Sequence, residues 1–146
     1  MTEVERMLAE HACQKLQAQY GVFADRGDVE GFTQLFAEDG SVAVPEAPAF
    51  VGQDAIRASI QALKDQGVTM RHVLTNNVVD VIDDTTAEGV SYLVVFNSTG
   101  PVDARGTRPV EPPATVGEYR DTFRRTAEGW RFQTRVLTRV FRPPAD

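Results

Sequence analysis

Apolar residues recur every three or four positions through the first quarter of the chain and every second position through its last half. Val4, Leu8, Ala12, Leu16, Tyr20 and Phe23 mark a helical stripe of about six turns. Thr2 and Glu5 have the spacing of a capping box, so this helix begins almost at the terminus. Gly27 is free to take a positive φ and end it, and Asp28 is a strong N-cap for a second, short helix. Phe32, Leu35 and Phe36 give that second helix an apolar edge, and the spacing ends it at Phe36, before a turn over 37–40. Ser41 to Val44 reads as a short strand broken by Pro45-Glu46-Ala47-Pro48. A third helix is predicted from about Gln53 to Gln66, burying Ala55, Ile56, Ile60 and Leu63 and stopped by Gly67.

From Thr69 onward the period falls to two. Three or four long strands follow, over about 69–82, 86–97, 116–126 and 130–142, with Asp83-Asp84-Thr85 and Ala127-Glu128-Gly129 short enough to be hairpin turns. Helices first and hairpins afterwards imply an α+β architecture: three N-terminal helices packed on one face of a curved, mainly antiparallel sheet. The connection over 98–115, rich in Pro and Gly, is either a lid over a pocket or a mobile crossing. In the last hairpin, a Thr126–Gly129 loop sets Arg125 opposite Trp130. Tyr119, Asp121 and Phe123 then share a face with Phe132, Thr134 and Val136. An acid on that aromatic face is paired or perturbed, which singles out Asp121. The opposite face then carries Arg120, Arg124, Arg131 and Arg135, a row that reads as solvated or as a subunit contact.

Composition narrows the function classes. The 146 residues suit one domain, 1–146, and the net charge of −6 argues against a nucleic-acid partner, which needs clustered Lys and Arg. Cys13 is the lone cysteine, so no internal disulfide forms and Cys-rich metal sites are excluded. The acidic, helical start differs from a signal peptide and no run approaches 18 apolar residues, so a cytoplasmic protein that stays off the membrane is expected. No Gly-rich phosphate loop, nucleophile elbow or paired-His metal spacing occurs, so the expected site uses no cofactor and no metal.

Two residues stand out chemically. Asp25 is not needed for the cap that follows it, and it has aromatic and aliphatic neighbours. His72, one of two histidines, alternates with Met70 and Leu74, which turns it inward. A neutral imidazole takes a proton from carbon beside an activating group, and a buried carboxylate accepting its other N–H fixes the tautomer and stabilises the imidazolium. The bland readings stay open: a core or interface histidine bonded to a backbone carbonyl, and a helix-terminus aspartate bonding nearby amides. His11, on the polar side of the first helix, reads as solvated.

The element order, the Asp25-Arg26-Gly27-Asp28 turn, the Leu35–Gly40 ending, Gly52, Arg71-His72 and Gly129-Trp130-Arg131-Phe132 together resemble the SnoaL-like branch of the nuclear transport factor 2-like superfamily. The resemblance implies a cone-shaped α+β barrel, a homodimer built through the outer sheet face, and a small-molecule ligand. That scaffold hosts enzymes and non-enzymatic binders alike. The nearest chemical likeness is to scytalone dehydratase and hexachlorocyclohexane dehydrochlorinase, which implies that Asp25 and His72 act as a catalytic pair in elimination or proton transfer. Asn97 stands where the dehydratase has a second histidine, and Ala24 where it has a tyrosine. Asn97, Tyr20 and Asp121 are the expected polar contacts to substrate, with a core aromatic the other reading of Tyr20. A non-catalytic binding or assembly module, like the small subunits of ring-hydroxylating dioxygenases, is the rival reading. Epoxide hydrolysis, a third, requires an Asp-Arg-Asp cluster, so Asp121 would have to meet an inward arginine.

Overall fold

The structure, a computed structural model, describes residues 1–145. Three helices, α1 (Glu3–Arg26), α2 (Val29–Thr33) and α3 (Gln53–Asp65), lie with a six-stranded sheet. Its strands are β1 (Phe36–Ala43), β2 (Phe50–Val51), β3 (Thr69–Val81), β4 (Thr86–Ser98), β5 (Thr115–Thr126) and β6 (Gly129–Phe141). They run in the order β2-β1-β6-β5-β4-β3, antiparallel throughout except for the β1–β6 pair. The α+β architecture and the four long strands agree with the sequence reading. Among the described residues no helix is long and apolar enough to cross a membrane.

The helix punctuation follows local chemistry. Thr2 and Glu5 form the reciprocal capping box at the start of α1, and Gly27 ends it at φ 62°. The Asp28 side chain accepts the Gly31 N–H at the start of α2. That second helix, however, stops before Phe36. Phe32 N–H bonds back to Asp28, but Leu35 O accepts from Phe132 N–H at 2.9 Å, so pairing with β6 draws the chain into β1 and the expected 37–40 turn becomes an irregular stretch of strand.

The buried edge of α1 also differs from the apolar stripe. Val4 and Leu8 are more than 60% exposed, while Ala9, Cys13, Gln17 and Gly21 are buried at four-residue steps beside Leu16, Tyr20 and Ala24. A helix lying across β3 and β6 needs small residues at its closest approach, and this edge supplies them. The concave side of the sheet is filled by Tyr20, Phe32, Phe36, Tyr119, Phe123 and Phe132.

Two bulges decide which side chains point inward. Phe123 pairs with Phe132 and Thr122 with Thr134, which leaves Gln133 as an extra residue in β6. A single extra residue flips every later side chain, so Arg135 points into the core at 0% exposed and Val136 faces out. The expectation that Arg135 joins an outer arginine row, with Thr134 and Val136 inward, is therefore corrected. In β3 the register jumps between Thr75 and Val78, where Asn76 sits at φ 53°.

Candidate functional site

The last turn of α1 carries Asp25 against the opening residues of the edge strand β3. Its carboxylate grips His72 twice: Oδ2 accepts the His72 backbone N–H at 2.9 Å, and Oδ1 lies 2.5 Å from Nδ1. The two side chains are 4% and 10% exposed, so the bond is shielded from water on most sides. Because an ionised carboxylate only accepts, a neutral His72 donates Nδ1–H to it and keeps its lone pair on Nε2. Neither bland reading describes this arrangement, since Asp25 bonds an amide 47 positions away rather than its own cap and His72 bonds a carboxylate rather than a carbonyl. The Arg71 guanidinium, largely exposed, stands 3.8 Å from Oδ2.

Tyr20 lies about 1.4 turns before Asp25 on α1, and its ring meets the His72 ring edge-on with centroids 6.3 Å apart. Burial pushes its hydroxyl above the ordinary phenol range against the pull of Arg135, and burial pushes Tyr119 up further, so both phenols stay protonated at neutral pH. Asn97 pairs with Met70 in the β3–β4 ladder, two positions along from Val95, the partner of His72. Its Oδ1 is buried with no hydrogen-bond partner among the described residues.

Asp121 belongs to a second polar cluster. Arg135 Nε donates to Asp121 Oδ1 at 2.8 Å and Nη2 to Oδ2 at 3.1 Å, and Gln17 Nε2 adds a bond to Oδ2 at 3.0 Å. Asn77 Nδ2 donates to Gln17 Oε1, and Arg135 Nη2 to Ser91 Oγ. The guanidinium carbon sits 4.3, 3.9 and 4.5 Å from the ring centres of Tyr20, Tyr119 and Phe132, a geometry that offsets part of the cost of burying the charge. Arg135 Nη1 has no partner among the described residues. Asp121 does meet an inward arginine, but Gln17 occupies the flank where epoxide chemistry calls for a second carboxylate. Sequence reasoning missed Arg135 and Gln17; the four-residue rhythm of small and polar residues on α1 was the available signal for Gln17.

Beside the Asp25–His72 pair runs an open groove of about 260 Å³, walled by Ala18, Val22 and Leu74 with Arg26 and Arg71 at its rim. Its walls come from α1 and β3, not from residues 99–114. That loop is tied to itself and to the sheet: Asp103 accepts from Arg105 and Thr107, and Ala114 N–H bonds Val95 O. Among the described residues no group of three or more His, Cys, Asp or Glu side chains is arranged to hold a metal ion.

A helical layer on a curved, mostly antiparallel six-stranded sheet is the cystatin-like, nuclear transport factor 2-like fold. The chain belongs to the SnoaL-like domain family, whose model matches residues 5–136. No curated protein matches the sequence. Among solved structures it is similar to a nuclear transport factor 2-like protein with a cystatin-like fold from Novosphingobium aromaticivorans, at 31% identity over 92% of this chain and 83% of that one, with a TM-score of 0.77. A function-unknown protein from Mycobacterium tuberculosis is 28% identical over 95% and 76% of the two chains, with a TM-score of 0.75. A protein from Novosphingobium aromaticivorans named as a candidate scytalone dehydratase shares the fold at 20% identity, 96% and 89% coverage and a TM-score of 0.79. Proteins of this fold bind small molecules: a 23%-identical structure from Catenulispora acidiphila, covering 87% of this chain and 90% of that one at a TM-score of 0.68, holds the ligand S-DNPA.

Proposed function

We propose that the protein is a cofactor-independent lyase or isomerase acting on a small apolar, cyclic metabolite. The observation that carries this reading is the two-oxygen grip of Asp25 on His72, which leaves Nε2 as the basic atom. Nε2 takes a proton from a substrate carbon, and the C–H electron pair becomes a carbon–carbon double bond. In elimination the leaving group departs with its own bonding pair. In isomerisation the same electrons shift onto an adjacent carbonyl and the imidazolium returns the proton elsewhere. Asp25 holds the ring and stabilises its charged form. Asn97 and Tyr20, neither of which lines the groove, are the polar contacts proposed for the inner side of the pair. Asp121, expected as a further substrate contact, has both oxygens engaged by Arg135 and Gln17 and is a support for Arg135 beneath the Tyr20 ring instead.

A second reading has its own support. The concave side is filled with aromatic side chains and the groove beside the pair is open, which suits a non-catalytic ligand-binding or assembly module. The outer sheet face exposes Val73, Val78, Tyr92, Val136 and Val140, and this is the face through which a homodimer would form.

The test is turnover of a panel of cyclic substrates carrying an acidic C–H next to a carbonyl, halide or hydroxyl, by wild type and by His72→Ala. General-base catalysis predicts a loss of about 10²- to 10⁴-fold on any substrate turned over. An undiminished rate in His72→Ala removes the histidine from the mechanism, and ligand binding without turnover across the panel favours the module.

A further inference from the structure

Gly21 lies one helical turn before Asp25, on the same edge of α1, and is buried against β3. A Cβ placed there would stand 2.7 Å from Leu74 Cδ1 and 3.0 Å from His72 Cβ. The first neighbour is the end of a side chain that can swing aside. The second belongs to the stem of the candidate base and moves only with the strand or the ring. No positive φ is at issue, since Gly21 is helical; what the position lacks is width.

The closeness at Gly21 has a consequence one turn later. Asp25 has a short side chain, yet it reaches both the backbone N–H and Nδ1 of His72, at 2.9 and 2.5 Å. A carboxylate reaches two atoms of one strand residue only if the helix lies close against the strand, and α1 lies closest where it has no side chain. We infer that Gly21 is a positioning residue: its bare Cα sets the α1–β3 spacing that lets Asp25 hold His72 in a single tautomer. This rests on the proposed role of the Asp25–His72 pair. Larger aliphatic side chains at position 21 would keep the fold and its core while detaching the carboxylate from the ring.

The experiment reads the pair directly, without substrate. In Gly21→Ala and Gly21→Val, ring-nitrogen chemical shifts of His72 give the tautomer and hydrogen exchange gives the His72 amide bond, with Asp25→Ala as the unpaired reference and exposed His11 as internal control. The expected result is a His72 ring that moves from one tautomer to the mixture seen in Asp25→Ala, and a His72 amide that exchanges about tenfold faster, as loss of a charge-assisted bond implies. His11 and the amides of β5 and β6 stay unchanged. Should either single variant fail to fold, Gly21→Ala/Leu74→Ala removes the softer clash and leaves the one at His72 Cβ. A wild-type tautomer and a slow His72 amide in a folded variant overturn the proposal. That failure is distinct from failure of the catalytic reading, which would appear as undiminished turnover in His72→Ala.

Discussion

Replacing Asp121 by Asn should destabilise the protein far more than a change of one atom suggests. Arg135 and Asp121 are both fully shielded from solvent, and the carboxylate accepts two of the guanidinium's bonds. Nη1 already lacks a partner among the described residues, so nothing else stands ready to balance the charge. Removing one member of a buried pair costs about 3–5 kcal/mol. The amide oxygen can keep one bond and the Tyr20, Tyr119 and Phe132 rings still face the cation, so the lower end, about 3 kcal/mol, is the expected value. Against a total stability of about 5–15 kcal/mol that is a large fraction, and at about 2–4 °C per kcal/mol it lowers Tm by roughly 10 °C. Urea unfolding followed by the fluorescence of Trp130, the single tryptophan and a core residue of β6, measures it. The double variant Asp121→Leu/Arg135→Met removes both charges and should lie within about 1–2 kcal/mol of wild type. A single variant within about 0.5 kcal/mol of wild type, or a double variant as unstable as the sum of its parts, would refute the reading of this cluster as a matched buried pair.

Alkaline pH should weaken the fold through its buried acids. Burial pushes the Cys13 thiol from its ordinary value of 9.0 up to about 12, and burial raises the Tyr20 and Tyr119 hydroxyls in the same sense. The folded state therefore holds protons the unfolded chain releases. The stabilisation is complete below pH 9 and is lost as pH rises toward 12, at up to about 1.4 kcal/mol per pH unit for each group. Urea midpoints at pH 8, 9.5 and 11 should fall in that order, and Cys13→Ala should flatten the first interval; a constant midpoint contradicts the assignment. Gly27→Ala should cost about 1 kcal/mol, because φ 62° penalises any Cβ and the Lys64 side chain lies 3.2–3.4 Å from where it would sit. A thermal midpoint equal to wild type would place the end of α1 elsewhere.

Much of this molecule was readable from its residues because its signals are local. The Thr2–Glu5 capping box, Gly27 as a left-handed cap, Asp28 as N-cap and the period-two strands all appear where short-range chemistry put them. Alternation along Met70, His72 and Leu74 turned the histidine inward, onto the face that packs against α1. What escaped was non-local. The bulge at Gln133 leaves no mark in the sequence, yet one extra residue moved Arg135 from an outer row into the core beside Asp121. Pairing of β1 with β6 shortened α2, and close contact with β3 added a small, partly polar edge of α1 to the buried part of its apolar stripe, leaving Val4 and Leu8 outside. In each case a tertiary contact overrode a local preference that pointed elsewhere.

The most direct test of the central claim is the nitrogen-15 spectrum of the His72 ring in the wild-type protein above the titration range of free imidazole. A carboxylate-held base predicts a protonated Nδ1 and a lone-pair Nε2, with the pattern lost in Asp25→Ala. A ring protonated at Nε2, or one indifferent to Asp25→Ala, would contradict the account.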